Sequence, residues 1–400
     1  MFVAALGTFA AVATLTRLAG QPDGLNVLGV VVAVVASRRV AGASARERLE
    51  TAASLPLVAA LTSLLALLLA HDRYVAEALI VLAMFVSIAT RRAPPAVART
   101  ARLLTLPMLV LFVAPAPVHR GFWIDLPWYA LVSAIAGAWV LLAGSLVPGP
   151  AARRAAAPPP PSARRPSATV RLATQSAVGL ALAFATSQAL FPHRWTWAIV
   201  TAFAVSGGAR SRGDVLLRSG ERLVGAIAGT ALATVLAAEL GGHTVASVAA
   251  IFALLAVGAV LRDAHYVAWA FCVTSMLALL YGLYGQSGAD LVDERLAQNL
   301  LGAACMVAPA FVLMPVRTEA VIRRYAALVR DAIDDVRADP VAIELLDHRM
   351  AMFETAARPA LVGRRVAGLL GLASHRESAE RVARVRAAAT AARALAEHAD

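Results

Sequence analysis

The sequence predicts an all-α polytopic membrane protein of about twelve transmembrane helices, built as two parallel six-helix repeats and followed by a small C-terminal cytoplasmic helical domain. Three observations predict it. The 400 residues are 60% hydrophobic and only 16% charged, with a mean hydropathy of +0.70, whereas soluble chains hold roughly 45–50% apolar and about 25% charged residues. Apolar runs bounded by charge or proline recur along the whole first three quarters of the chain. Basic residues fall in blocks after every second run.

A hydrocarbon core about 30 Å thick needs about 20 helical residues per crossing. Taken in order, the candidate spans lie near 2–18, 24–37, 51–70, 74–90, 103–118 and 127–147. The second set lies near 170–190, 195–209, 222–240, 244–261, 265–284 and 295–315. The segment from Met1 to Leu18 lacks the basic start and cleavage site of a secretory leader, so it reads as the first span. The second and eighth runs are the short ones and occupy equivalent places, after Pro22 and Gly24 and after Pro192. Neither crosses a bilayer comfortably. Tilting or polar extension is the favoured reading, and interruption beside a cavity the other.

Cytoplasmic loops retain Arg and exported loops do not. Loops after even-numbered spans hold Arg38, Arg39, Arg46 and Arg48, then Arg91, Arg92, Arg99 and Arg102, then Arg153, Arg154, Arg164 and Arg165. Later come Arg210, Arg212 and Arg218, then Arg262, then Arg317. The opposite loops carry isolated Arg17, Arg73, Arg120, Arg194 and Arg295. Both termini are therefore expected in the cytoplasm. The +12 net charge, all of it from Arg and none from Lys, is thus topological, and no nucleic-acid partner is expected. Cys272 and Cys305 sit in apolar runs without metal or disulfide spacing and read as packing residues.

Residues 1–148 form the expected first repeat, and 149–168 a linker rich in Pro, Ala and Arg whose prolines favour extended chain. Residues 169–316 form the second repeat and 317–400 the cytoplasmic helical domain. There the composition turns to Ala, Arg, Glu and Asp, with apolar residues at helical spacing, such as Leu328, Ile333 and Val336, or Val382, Val385 and Ala389. Breaks are expected near Pro340, Pro359 and Gly371. A packed helical cap is the favoured role of this domain and partner binding the other.

The two halves read as copies of one unit. Ala45-Arg46-Glu47-Arg48-Leu49 precedes the third span and Ser219-Gly220-Glu221-Arg222-Leu223 the ninth, so Glu47 aligns with Glu221 and Arg48 with Arg222; Arg38 falls on Arg212 at the same offset. An even number of spans returns the second copy to the membrane with the same polarity, which places the symmetry axis along the membrane normal and a substrate path where the halves meet.

Within the second half, Pro192 and Trp195 begin one span in a Pro-x-x-Trp pattern, and a basic loop leads to an Arg-x-x-Gly-x-x-x-Gly pattern at Arg222, Gly225 and Gly229. This order resembles the fusaric acid resistance family, also described as aromatic acid exporters or integral membrane bound transporters. The resemblance is clearest over about 170–315. In the first half Pro22 and Arg48 keep parts of the pattern, while Thr51 and Leu55 stand in place of Gly225 and Gly229. The resemblance implies a multi-pass efflux transporter of the plasma (inner) membrane for aromatic or other amphipathic organic acids.

An exporter of acids must first attract an anion. Arg210, Arg212, Arg218 and Arg222 are the candidates at the cytoplasmic mouth, with Arg38, Arg39 and Arg48 as first-half counterparts; setting topology and binding anionic lipid is the competing role. Glu221 beside Arg222 reads as favouring the positive N-terminal end of the ninth span rather than as a gate. Gly225 and Gly229 read as a close-packing pair. Trp195 and Trp197, with Thr201, are candidate contacts to an aromatic acid, although interfacial anchoring of the tryptophans is favoured. Gln175, Gln188, Gln298, Asn299 and Asn26 are amides that lipid cannot satisfy, so they line a path or bond between helices.

The spans hold almost no carboxylate or His for proton coupling. Glu77 lies near the exported end of the fourth span, and His193, His243 and His265 near helix ends. A Gly-x-x-x-x-Gly-Lys phosphate-binding loop cannot exist in a chain without lysine, and no metal-ligand spacing or Ser-His-acid set is found, so neither an enzyme nor a cofactor is expected. The expected partners are a small organic acid and the bilayer, and association into a homo-oligomer is compatible with the sequence. A passive organic-anion channel and a non-transporting scaffold acting through the cytoplasmic domain are the alternative readings.

Overall fold

The computed structural model describes residues 1–40, 44–94, 97–98, 101, 105, 111–112, 122–146, 168–192, 195–240, 243–262, 265–283, 289–339, 342–369 and 376–397. Fourteen α-helices are found among them: α1 (Phe2–Leu18), α2 (Gly24–Val40), α3 (Ala45–His71), α4 (Arg73–Ala89), α5 (Phe122–Leu146), α6 (Ala168–Leu190), α7 (Thr196–Ser206), α8 (Arg212–Leu240), α9 (Thr244–Leu261), α10 (Tyr266–Leu283), α11 (Ala289–Val312), α12 (Thr318–Ala338), α13 (Ile343–Leu369) and α14 (Arg376–Glu397). The expected span at 103–118 and the linker lie almost wholly outside the described residues.

Seven helices among the described residues are long and apolar enough to cross a membrane: those at Ala45–His71, Trp123–Ser145, Ala168–Leu190, Arg212–Leu240, Thr244–Leu261, Tyr266–Leu283 and Val292–Val312. Shorter apolar helices run over Phe2–Leu18, Gly24–Arg38 and Thr196–Ser206. Large side chains on these helices point outward, Val245 being 85% and Val260 79% exposed. Lipid is the medium in which such a surface costs nothing.

The two short runs prove unequal. Helix α2 extends to 17 residues and carries Arg38 and Arg39 within it rather than in a loop. Helix α7 has only 11 residues and is almost entirely buried, ending at Gly207 and at Gly208, whose φ of +84° suits glycine. At about 1.5 Å per residue, α7 covers about half a hydrocarbon core.

Packing follows the same scheme in each half. In the first, α5 packs against α1, α2 and α3; in the second, α11 packs against α6, α7 and α8. Among the described residues α4 also packs against α6, and α1 against α9. In the span order expected from the sequence, each pairs a fourth span with a first. The seams differ in depth. At the first, Ile80, Met84 and Ile88 merge with Leu172, Leu180 and Phe184 in one core. At the second, Ala5 meets Phe252 and Leu255, and Phe9 stands edge-on to Phe252 at 5.2 Å.

Helices α12, α13 and α14 form a separate core around Val329, Leu346, Phe353 and Ala389. It sits on the Arg-rich start of α8, where Gly213 N–H donates to Thr318 Oγ1 at 3.2 Å. The break expected at Pro359 does not occur, because Pro359 lies inside α13. Its ring fills the space over Gly213, where a Cβ would stand 3.2 Å from Pro359 Cβ.

Candidate functional site

The decisive local event is where α8 begins. Ser211 starts it by accepting from Asp214 N–H at 3.2 Å, while Arg210 N–H donates to the Asp214 carboxylate at 3.0 Å. The helix therefore runs from Arg212, which carries Glu221 and Arg222 roughly three turns inside it. The expected placement of Glu221 at a helix N-terminus is corrected by this geometry. Its carboxylate accepts from Arg358 Nη2 of α13 at 2.6 Å, joining the C-terminal helices to the span.

Arg222 is 3% exposed. Its Nη1 donates to Thr274 Oγ1 of α10 at 3.2 Å, whereas Nε and Nη2 meet no acceptor among the described residues. The hydroxyls of Ser219 and Thr230 are likewise buried without a partner among them. Ser219, Arg222, Ala226 and Thr230 are spaced by three or four residues, so they share one buried stripe of α8. Gly225 and Gly229 bring α10 close beside it. A Cβ on Gly225 would stand 2.6 Å from Ala270 Cβ, and one on Gly229 2.6 Å from the Phe271 carbonyl.

The other mouth arginines serve joints. Arg218 donates to the Gly207 carbonyl and lies over the Tyr266 ring at 5.4 Å. Arg212 lies over Phe311 at 5.2 Å. Arg210 lies over Tyr325 at 5.7 Å and reaches the Met352 carbonyl at 3.5 Å. In the first half, Arg48 Nη1 donates to the Gly144 carbonyl of α5, and Arg38 lies over the Trp269 ring at 4.0 Å.

A second polar row lies between α7 and α11. Trp197 N–H donates to Gln298 Oε1 at 3.1 Å, and Thr201 donates to Asn299 Oδ1. The Arg295 guanidinium lies 5.3 Å over the Trp197 ring and 5.5 Å over that of Tyr281. Trp197 is buried against Leu277 and Tyr281, and Trp195 packs on Phe112 and Phe184 at 5.8 and 5.9 Å. Trp197 is thus enclosed by protein, which corrects the interfacial reading for that residue, while Trp195 is partly buried.

The remaining amides bond between elements. Gln175 donates to the Leu313 and Met314 carbonyls at 2.6 and 3.1 Å, tying α6 to the end of α11. Asn26 accepts from Thr16 and donates to Asp23, each at 3.3 Å, in the first half. Gln188 donates to Glu77 in an apolar groove of about 580 Å³ between α4 and α6, lined also by Tyr74, Leu82 and Phe85.

Sequence reasoning missed Thr274, Tyr281 and Arg358, and it placed in an exported loop Arg295, which lies buried inside α11. Arg295 was the readable one. With Gln298, Asn299 and Gly302 it makes an i, i+3, i+4, i+7 polar and small face inside an otherwise apolar span. Arg358 carried no signal, because its partner lies 137 residues away.

Residues 176–308 match the family model described as fusaric acid resistance protein-like. This segment is similar to fusaric acid resistance proteins. It runs from Ser176 in α6 to Ala308 in α11. The stripe of Ser219, Arg222 and Thr230, the Thr274 hydroxyl, and the row at Thr201, Arg295, Gln298 and Asn299 all fall inside the domain. No curated protein and no solved structure matches the chain. The domain and the several apolar helices together describe a multi-pass membrane protein and suggest a membrane transporter.

Proposed function

We propose that this protein exports aromatic or other amphipathic organic acids across the plasma (inner) membrane, using twelve spans in two parallel six-helix units. In this reading, residues 1–148 and 169–316 are the two units, 149–168 joins them, and 317–400 is a cytoplasmic helical domain beside cytoplasmic termini. The contacts of α4 with α6 and of α1 with α9 support the paired units. The docking of α12–α14 on the Arg-rich start of α8 supports a shared cytoplasmic side.

The observation that carries the reading is the buried polar chemistry of the fusaric acid resistance-like domain. Charged and polar side chains inside lipid-spanning helices are expensive and mark a path or a ligand. Here they gather on the inward faces of α7, α8, α10 and α11. The chain's own residues would attract a carboxylate by charge, hold it through N–H and O–H donors, and flank its ring with Trp197 and Tyr281.

Proteoliposomes preloaded with benzoate or hydroxybenzoate, with and without a pH gradient, test the proposal. Protein-dependent loss of the acid supports it, and acceleration by the gradient would assign proton coupling. Current carried by the acid down its gradient alone would make the protein a channel. Release no faster than from empty liposomes for a broad acid panel would remove the transport reading.

A further inference from the structure

The most exposed clue to ligand chemistry is which part of Arg222 lacks a partner. A guanidinium offers an end-on edge, Nη1 with Nη2, and a side-on edge, Nε with Nη2. Thr274 takes Nη1, so the two nitrogens without an acceptor among the described residues are the pair that make up the side-on edge. Two parallel N–H donors in one plane match the two oxygens of a carboxylate.

The charges around it fix the ligand's valence. Arg222 stays protonated in any ordinary environment, and a buried charge persists only when paired. Its sequence neighbour Glu221 turns to Arg358, and Asp214 is held by Arg210 N–H and Ser211. Arg218 is partly exposed, turns to the Gly207 carbonyl and the Tyr266 ring, and lies close enough to Asp214 for the two charges to offset. The stripe therefore presents one positive charge with hydroxyls from Ser219 and Thr230 on the same face, and small neighbours in Gly225 and Ala226. One carboxylate neutralises that charge. A dianion would leave a net negative charge inside the span, which is as costly as the bare cation.

We infer that the side-on edge of Arg222 is the binding site for the carboxylate of an organic monoanion, one per chain, with selection against dianions. This deepens the transport proposal and rests on it for the ligand's biological meaning, but the site is defined by geometry alone. The structure shows the site closed, at 3% exposure.

The test uses the full-length chain in lipid nanodiscs, with chloride replaced by a bulky sulfonate buffer. Binding of benzoate, phthalate, benzyl alcohol and chloride is read by calorimetry and by the unfolding midpoint. Benzoate is expected to bind and to raise the midpoint, with phthalate and benzyl alcohol at least about tenfold weaker. Arg222→Gln should lose benzoate binding while its ligand-free midpoint stays level or rises, since an unpaired buried charge has been removed. Arg222→Lys keeps a charge without the fork and should lose the preference for benzoate over chloride. Unchanged benzoate affinity in Arg222→Gln, equal affinity for phthalate, or an unchanged preference in Arg222→Lys would each overturn the site. The two proposals fail separately: benzoate flux indifferent to Arg222→Gln sinks the site and spares transport, whereas Arg222-dependent binding without flux spares the site and sinks transport.

Discussion

Arg48 and Arg222 stand at matching places in the two halves and meet opposite fates. Helix α3 begins at Ala45, capped by Ser44 and Glu47 in a reciprocal pair of hydrogen bonds, so Arg48 lies in its first turn and donates to the Gly144 carbonyl. Helix α8 begins at Arg212, roughly two turns earlier relative to the aligned motif, so Arg222 lies deep in the helix with one edge unused. The motif is shared and its depth is not. Glu47 completes a helix start, as Glu221 had been expected to do, while Glu221 binds Arg358 of α13. An upstream cap therefore decides whether an identical Glu-Arg pair builds a helix terminus or a buried charged site.

The glycines offer the harshest way to break the comparison. Gly225→Leu would push its side chain into Ala270 and the Phe271 backbone, where a Cβ alone stands at 2.6 and 2.9 Å. We expect a cost of about 1–3 kcal/mol or more, visible as lost monodisperse protein and a lower unfolding midpoint. Thr51→Leu, at the matching first-half position, should change the midpoint little, within about 0.5 kcal/mol.

Next in size is the joint to the C-terminal helices. Arg358→Glu turns a 2.6 Å ion pair with Glu221 into a like-charge contact. A loss of about 1–2 kcal/mol at that joint is expected for this half-exposed pair. Hydrogen exchange should quicken in α12–α14 and at the start of α8 while α1, α2 and α5 keep their protection; an unchanged pattern would mean that the contact joins nothing.

The first-half positions sharpen the contrast with smaller effects. Arg48→Gln should cost about 1 kcal/mol, read at the α3–α5 contact, and leave benzoate affinity within about twofold. Ser44→Ala should cost about 0.5–1 kcal/mol, confined to faster exchange in the first turn of α3. If Ser44→Ala altered benzoate binding, the separation of roles between the halves would fail.

Much of the architecture was legible because lipid imposes a strict length and polarity rule on every crossing. Apolar helices stand where most of the runs were placed. Helix beginnings were less legible. The Ser211–Asp214 cap lies within a basic loop, so charge alone placed the ninth span at Arg222 rather than at Arg212. Pro359 misled because a proline costs a helix one hydrogen bond and a clash with the preceding turn, and that cost can be offset where tertiary packing holds the helix, as it does over Gly213. In the site, Arg222, Gly225 and Gly229 were readable from their motif, and Gln298 and Asn299 from polarity in an apolar run. The missing N–H partners of Arg222 and the remote grip of Arg358 on Glu221 depend on which helices meet, which no local pattern encodes.

If the anion chemistry belongs to the segment around Arg222 alone, benzoate binding must be single and must depend on that residue. Equilibrium dialysis of radiolabelled benzoate against the intact protein in nanodiscs measures this directly. The predicted result is one molecule bound per chain, abolished by Arg222→Gln and retained by Arg48→Gln. Two equivalent molecules per chain, or one that survives Arg222→Gln, would contradict it.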